Sequence, residues 1–218
     1  MGIEQKVAVI TGASQGIGAA LVKAYRDRNY RIVATARSIR PSNDDEILAV
    51  PGDIADRKTA ERAISEGMAR FGRIDTLVNN AGIFIAKPFT QYTEADYGAM
   101  LGVNIAGFFH ITQLAVAEME KQGSGHVVQI TTSLVDHAVA DVPSVLASLT
   151  KGGLAAATEA SFYRCVCTLV LRTSLPQQRL GGMVTRSEPD PKKTPVGETG
   201  ALRKDNPGLG GSDRPTAG

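Results

Sequence analysis

Between residue 6 and about residue 160 the chain switches repeatedly between two spacings of apolar residues. Lys6-Val7-Ala8-Val9-Ile10-Thr11 is a short apolar run that stops at glycines, the pattern of a parallel strand buried on both faces. From Ile17 to Arg28 the spacing lengthens: Ile17, Ala20, Leu21, Ala24 and Tyr25 fall on one helix face. Residues 31–36 and 47–50 read as second and third strands. Asp56 to Phe71 reads as a helix, with Asp56 as its N-cap and Gly72 as its stop. Residues 76–78 predict a fourth strand that ends at Asn79-Asn80-Ala81-Gly82. A helix from about Tyr97 to Lys121 follows, then a fifth strand over 125–131. An Ala-rich helix runs from Pro143 to about Phe162. Strands alternating with helices predict an α/β fold, a doubly wound parallel sheet covered on both faces. Ligands bind such sheets at the carboxyl ends of the strands, where the glycine and asparagine clusters fall.

The pattern breaks after residue 161. The last aromatic is Tyr163, and six of the ten prolines fall between Pro176 and Pro215. Residues 162–218 therefore read as a divergent tail, largely disordered for want of apolar surface, after a nucleotide-binding domain over 1–161. Cys165 to Leu171 is the one part of the tail with strand character. Net charge is +2, so charge gives no argument for nucleic acid or a membrane surface as partner. No apolar run approaches the roughly 20 residues of a bilayer span. The N-terminus enters a core-like strand at once and lacks a secretory pattern, so the expectation is a cytoplasmic protein. Two cysteines, Cys165 and Cys167, are too few for a metal site, and none is expected.

Thr11-Gly12-Ala13-Ser14-Gln15-Gly16-Ile17-Gly18 follows a strand and opens a helix. Gly12 permits a tight turn, Gly16 a close approach of backbone to a pyrophosphate, and Gly18 close packing of helix on strand. The free N–H groups and dipole of the new helix then face an anion. The spacing is GxxxGxG, which shares the mechanism of the general dinucleotide fingerprint but not its pattern.

TGASQGIG resembles the TGxxxGxG signature of the short-chain dehydrogenase/reductase family. Three further elements in the right order extend the resemblance over roughly Lys6 to Ala160. NNAG at Asn79 to Gly82 is similar to the family's second signature. Asp53, in Pro51-Gly52-Asp53-Ile54, matches the residue that meets the adenine ring. Asn104 falls where the family has its active-site asparagine. The resemblance implies a Rossmann-type fold that binds a nicotinamide dinucleotide through Gly12, Ser14, Gln15, Gly16, Ile17, Gly18, Asp53, Ile54, Asn79, Ala81 and Gly82. The family's last strands have no recognisable counterpart here, so the sheet is expected to lack them.

The second strand ends Thr35-Ala36-Arg37-Ser38, with no acid to hold a ribose 2′-OH and with Arg37 placed as a fork for a 2′-phosphate. NADP(H) is expected over NAD(H). Lys151 matches the family's lysine, which holds the nicotinamide ribose and lowers the pKa of a tyrosine four residues earlier. That position is Ala147, which has no proton to give. The family's serine aligns with Thr132 or with Ser133. The implied activity is hydride transfer between NADP(H) and a small carbonyl or alcohol substrate. The alternative is a catalytically impaired nucleotide-binding chain or a truncated product. The helices at 97–121 and 144–162 correspond to family dimer helices, so a homo-oligomer is a further expectation.

Overall fold

The computed structural model describes residues 5–137, 139 and 141–160, and the backbone of 166–173. Six parallel strands form one sheet: β1 (Val7–Thr11), β2 (Arg31–Ala36), β3 (Ile47–Pro51), β4 (Thr76–Asn79), β5 (Gly125–Thr132) and β6 (Val166–Thr173), in the order β3-β2-β1-β4-β5-β6. The helices are α1 (Gly16–Arg26), α2 (Arg57–Phe71), α3 (Glu94–Met100), α4 (Gly107–Gln122) and α5 (Val145–Ala160). The order reverses between β1 and β4. That reversal opens a crevice at the strand ends, the usual place for a ligand in such a sheet.

Alternate residues of β1 feed different cores, which is why the strand is apolar throughout. Val7 and Val9 join a cluster with Ala60, Ala63 and Ile64 of α2 and Ile111, Ala115 and Met119 of α4. Ala8 and Ile10 join Ile32, Val78 and Val128 on the other face, under Leu21, Val22 and Tyr25 of α1. Asp56 caps α2 by accepting from the Lys58 N–H at 3.0 Å, and Gly72 ends it with φ +75°. Both terminators were legible in the sequence.

The helix expected over 97–121 starts earlier, at Glu94, because Thr93 and Asp96 form a reciprocal capping box. It runs to Gln122 through a π-helical turn, Leu101–Ala106, that contains Asn104. The stretch Glu94–Gln122 is long and apolar enough to cross a membrane by length and composition alone. This corrects the expectation that nothing in the chain nears that length. One side of α4 packs on α2, β4 and β5, and 33% of the apolar window is buried.

The strand expected over 165–171 is β6, paired with β5 from Gly125↔Val166 to Thr132↔Thr173. The sheet therefore continues past the domain boundary placed at 161. No strand beyond β6 occurs among the described residues. Residues 174–218, and the expectation of disorder there, lie outside the described residues.

The carboxamide of Gln122 closes the sheet's lower end. Its Oε1 accepts from the Ile74 N–H at 2.9 Å, and its Nε2 donates to the Ile74 carbonyl at 2.8 Å. Ile74 is fully buried. Gln122→Ala strands both backbone groups and is expected to cost about 1–3 kcal/mol. Urea unfolding followed by circular dichroism measures it, as a lower midpoint at unchanged slope.

Candidate active site

The glycine turn is tied down by its neighbour strand. Asn80 Nδ2 donates to the Thr11 carbonyl at 2.9 Å and the Gly12 carbonyl at 3.2 Å. The Thr11 hydroxyl accepts from the Asn80 and Ala81 N–H groups at 3.0 and 2.9 Å. Gly12 stands at φ +64° with Asn80 Nδ2 and Ala81 Cα each 2.9 Å from where a Cβ would be. A Cβ on Gly18 would run into the Gly12 carbonyl. Gly18 thus serves packing of helix on turn and does not line the cleft.

The first turn of α1 faces the cleft uncapped. Gln15 at its N-cap makes no side-chain cap bond, and the turn carries no acid. Gly16 has φ +55° and nothing within 4 Å of its Cβ position. The unsatisfied N–H groups and the helix dipole are therefore left for a ligand anion.

The cleft encloses about 360 Å³. Gly12, Ser14, Gln15, Gly16 and Ile17 from the glycine turn line it together with Gly52, Asp53 and Ile54 past β3 and Ala81 and Gly82 past β4. Arg37 lines its rim, and among the described residues its guanidinium has no ion pair or hydrogen bond. The buried Thr35 hydroxyl lines the cleft with no partner in the protein. A dinucleotide phosphate fits this donor set: open amides, a free guanidinium and an unpaired hydroxyl, with no carboxylate but Asp53. The Asp53 carboxylate accepts from the Ala55 N–H at 3.0 Å, which orients it.

Three expected cofactor contacts, Gly18, Asn79 and Lys151, are not among the residues that line the cleft. Strand alternation turns the Asn79 side chain to the α4 face, where Nδ2 donates to the Thr112 hydroxyl at 2.9 Å. Asn80, one residue on, takes the cleft side. Thr11, Thr35, Ile83 and Val103 were missed; a Thr just before a glycine turn is the signal that would have found Thr11.

Behind Gly82 lies a closed corner. A Cβ on Gly82 would sit 2.9 Å from Lys151 Nζ and 3.3 Å from Asn104 Oδ1. Lys151 Nζ donates to the Ile130 carbonyl at 3.0 Å. Burial pushes its amine down to about 8 from the ordinary 10.5. Asn104 is 1% exposed, and its amide is saturated. Oδ1 accepts from the Ile83 N–H at 2.9 Å, and Nδ2 donates to the Ile83 carbonyl and the Thr150 hydroxyl, both at 3.1 Å. Thr150 was not singled out from sequence. Thr132 accepts from the Leu134 N–H at 3.3 Å, and Ser133 opens the short 3₁₀ turn that follows β5. Neither hydroxyl lines the cleft.

Ala147, one helical turn before Lys151, is 2% exposed. It packs in a cluster with Met100 and Leu146, against which Ile83, Ile85 and Tyr92 lie. Apolar side chains thus close over the place where a tyrosine is missing. A larger residue there has to displace them.

Residues 6–160 match the family model for short chain dehydrogenases, and the chain belongs to that family. It is 33% identical over 134 residues to an uncharacterized oxidoreductase of Staphylococcus haemolyticus, covering 58% of this chain and 58% of that protein. The chain thus spans less than two thirds of that relative's length. Its structure resembles a short-chain dehydrogenase from Streptomyces avermitilis with TM-score 0.74 and 26% identity, over 84% of this chain and 70% of that one. It also resembles ElxO with NADP bound, with TM-score 0.66 and 26% identity, over 72% of this chain and 66% of that one.

The lysine's depressed pKa has a sign that can be checked. Between about 8 and 10.5 the unfolded chain holds a proton on Lys151 that the folded chain has lost. Stability therefore rises with pH across that window, as the penalty for burying the ammonium is relieved. Lys151→Met removes the effect. The difference between the two proteins in urea unfolding is expected to grow in favour of wild type as pH is raised from about 8.

Proposed function

We propose that this chain binds NADP(H) and serves as an oxidoreductase on a small carbonyl or alcohol, by the activity its family is named for. A single observation carries the reading. The free Arg37 guanidinium stands on the rim of a cleft whose inner wall is an uncapped helix N-terminus. A fork of that kind suits a 2′-phosphate, and no acid occupies the end of β2 to favour a bare ribose. ElxO, a structural relative, is known with NADP bound. When bound, the nicotinamide supplies the hydride. Gly12, Gly16 and the first turn of α1 would hold the phosphates, Asp53 and Ile54 the adenine side, and Lys151 behind Gly82 the ribose near the chemistry. A cytoplasmic setting, with no nucleic acid or membrane as partner, is part of the same proposal.

A second reading has its own observation. Ala147 is buried among apolar side chains, and the Asn104 amide is spent on the protein. On this reading the chain holds the nucleotide and turns over poorly.

Tryptophan is absent, so the titration follows the fluorescence of the reduced nicotinamide itself. NADPH is expected to bind more tightly than NADH. Arg37→Ala is expected to weaken NADPH by about 10- to 100-fold, the value of one charge-assisted hydrogen-bonding group, and to leave NADH unchanged. Equal loss for both cofactors would remove Arg37 from the phosphate.

We also propose that α4 and α5 pair with a second copy. Tyr97, Phe109, Val145 and Leu149 are 44%, 53%, 45% and 58% exposed on the α3–α4 and α5 helices. Large apolar groups left in water on helices of this kind are a protein-interaction signature. Sedimentation velocity is expected to show a dimer, and Phe109→Glu with Leu149→Glu to shift it to monomer without loss of helix content.

A further inference from the structure

We infer that Lys151 is itself the proton donor of the site, in place of the absent tyrosine. The inference rests on the proposed oxidoreductase reading and goes beyond a ribose-holding role. It comes from asking which groups in the corner still have a proton to give. The Asn104 amide protons go to the Ile83 carbonyl and Thr150. The Thr150 hydroxyl donates to the Leu146 carbonyl at 2.7 Å. Tyr92, the tyrosine packed nearest Ala147, donates to the Ile85 carbonyl at 2.8 Å. Ser148 donates to the Leu134 carbonyl at 3.2 Å, and Ser144 is paired with Ser148. His137 stands exposed on the turn beyond β5. Thr132 and Ser133 offer hydroxyls, which without a base are very weak acids.

Lys151 differs from all of these. An ammonium carries three protons, and one goes to the Ile130 carbonyl. Among the described residues no carboxylate lies within 4.0 Å of its Nζ, and no other acceptor takes the remaining two. The elements packed on α5 bring Glu94, Asp96, Tyr97, Tyr92 and His137 as titratable groups, none with a hydrogen bond or ion pair to Lys151, and Asp136, which has a partner of its own. Asp96 is held by Lys87 at 2.6 Å. Gly82 lines the cleft, and the amine lies directly beside it: a Cβ on Gly82 would sit 2.9 Å from Nζ. Desolvation has already brought the amine near neutrality, which suits a group that must give up a proton at working pH.

The step balances. The substrate carbonyl carbon accepts a hydride from the reduced nicotinamide. The carbonyl π pair moves onto oxygen, and that oxygen takes one N–H proton from Lys151. The carbonyl is reduced to an alcohol and the nicotinamide is left oxidised. Lys151, now a neutral amine, regains its proton from water.

The experiment uses the full chain, labelled at lysine, and reads three things in order. NADPH binding is measured first by fluorescence. The Lys151 side-chain resonance, assigned by its loss in Lys151→Arg, is then titrated by NMR with and without NADPH. Last, reduction of 4-nitrobenzaldehyde is followed from about pH 6 to about pH 10, a range that brackets a depressed lysine. The expected result is turnover that falls with rising pH at the same midpoint as the Lys151 resonance. Lys151→Arg keeps the charge but releases no proton in this range; it is expected to bind NADPH and to lose at least about 100-fold in kcat. Wild-type binding without turnover, a pH midpoint that departs from the resonance, or Lys151→Arg turning over as fast as wild type overturns the inference and leaves cofactor binding standing. No binding of NADPH by wild type overturns the proposed function and this inference with it.

Discussion

The site depends on one tie across the sheet. Thr11 at the end of β1 and Asn80 just past β4 hold each other through the Thr11 hydroxyl and the Asn80 amide, across 69 residues of chain. The same amide reaches the Gly12 carbonyl, which fixes the peptide that Gly18 must pack against. Once that carbonyl is fixed, the start of α1 has a single place to lie, and it lies there only because residue 18 has no side chain. The helix N-terminus is then aimed into the crevice where the strand order reverses. Anion binding here is thus a consequence of sheet topology, transmitted by four hydrogen bonds, and not a property of the glycine loop alone.

Much of this was legible in the sequence because the causes are local. The continuous apolar run Val7–Ile10 marks a strand buried on both faces, and each face has its own cluster. Asp56 and Gly72 mark the ends of α2 because capping and left-handed backbone act within one turn. The nucleotide wall was legible for the same reason. What failed to show was whatever depends on contacts distant in sequence. Asn79 and Asn80 look interchangeable in a string, but strand alternation sends one to Thr112 and the other to the turn. Thr150 looks like helix filler, and only the fold brings it beneath Asn104. The start of the long helix was set too late because its capping box, Thr93 with Asp96, precedes the apolar spacing used to find it.

The two halves of the site differ in kind. The nucleotide half is open and under-satisfied: uncapped amides, a free Arg37, an unpaired Thr35 hydroxyl. The other half is closed and nearly saturated, with Asn104, Thr150 and Ala147 each no more than 2% exposed. A protein that leaves polar groups unpaired pays in stability unless something binds them, so the open half speaks for a ligand. Saturation on the closed side speaks for rigidity. Asn104 cannot move without breaking three bonds, and it sits in a π turn, an irregularity that recurs at functional sites.

Removing a tyrosine from such a corner has an effect beyond the lost acid. A buried tyrosine hydroxyl is a polar partner for a neighbouring ammonium. With alanine in its place that partner is missing, and among the described residues the ammonium's one hydrogen bond goes to the Ile130 carbonyl. Low surrounding polarity then works in two directions at once. It destabilises the charged lysine, which is why the amine falls to about 8, and it strengthens any interaction the lysine makes with charge that appears nearby. An oxygen gaining negative charge in that space meets a cation already weakly held to its proton. Burial of the lysine and the apolar packing around Ala147 thus act in the same corner: one weakens the hold of the amine on its proton, and the other leaves no tyrosine there to do the acid's work.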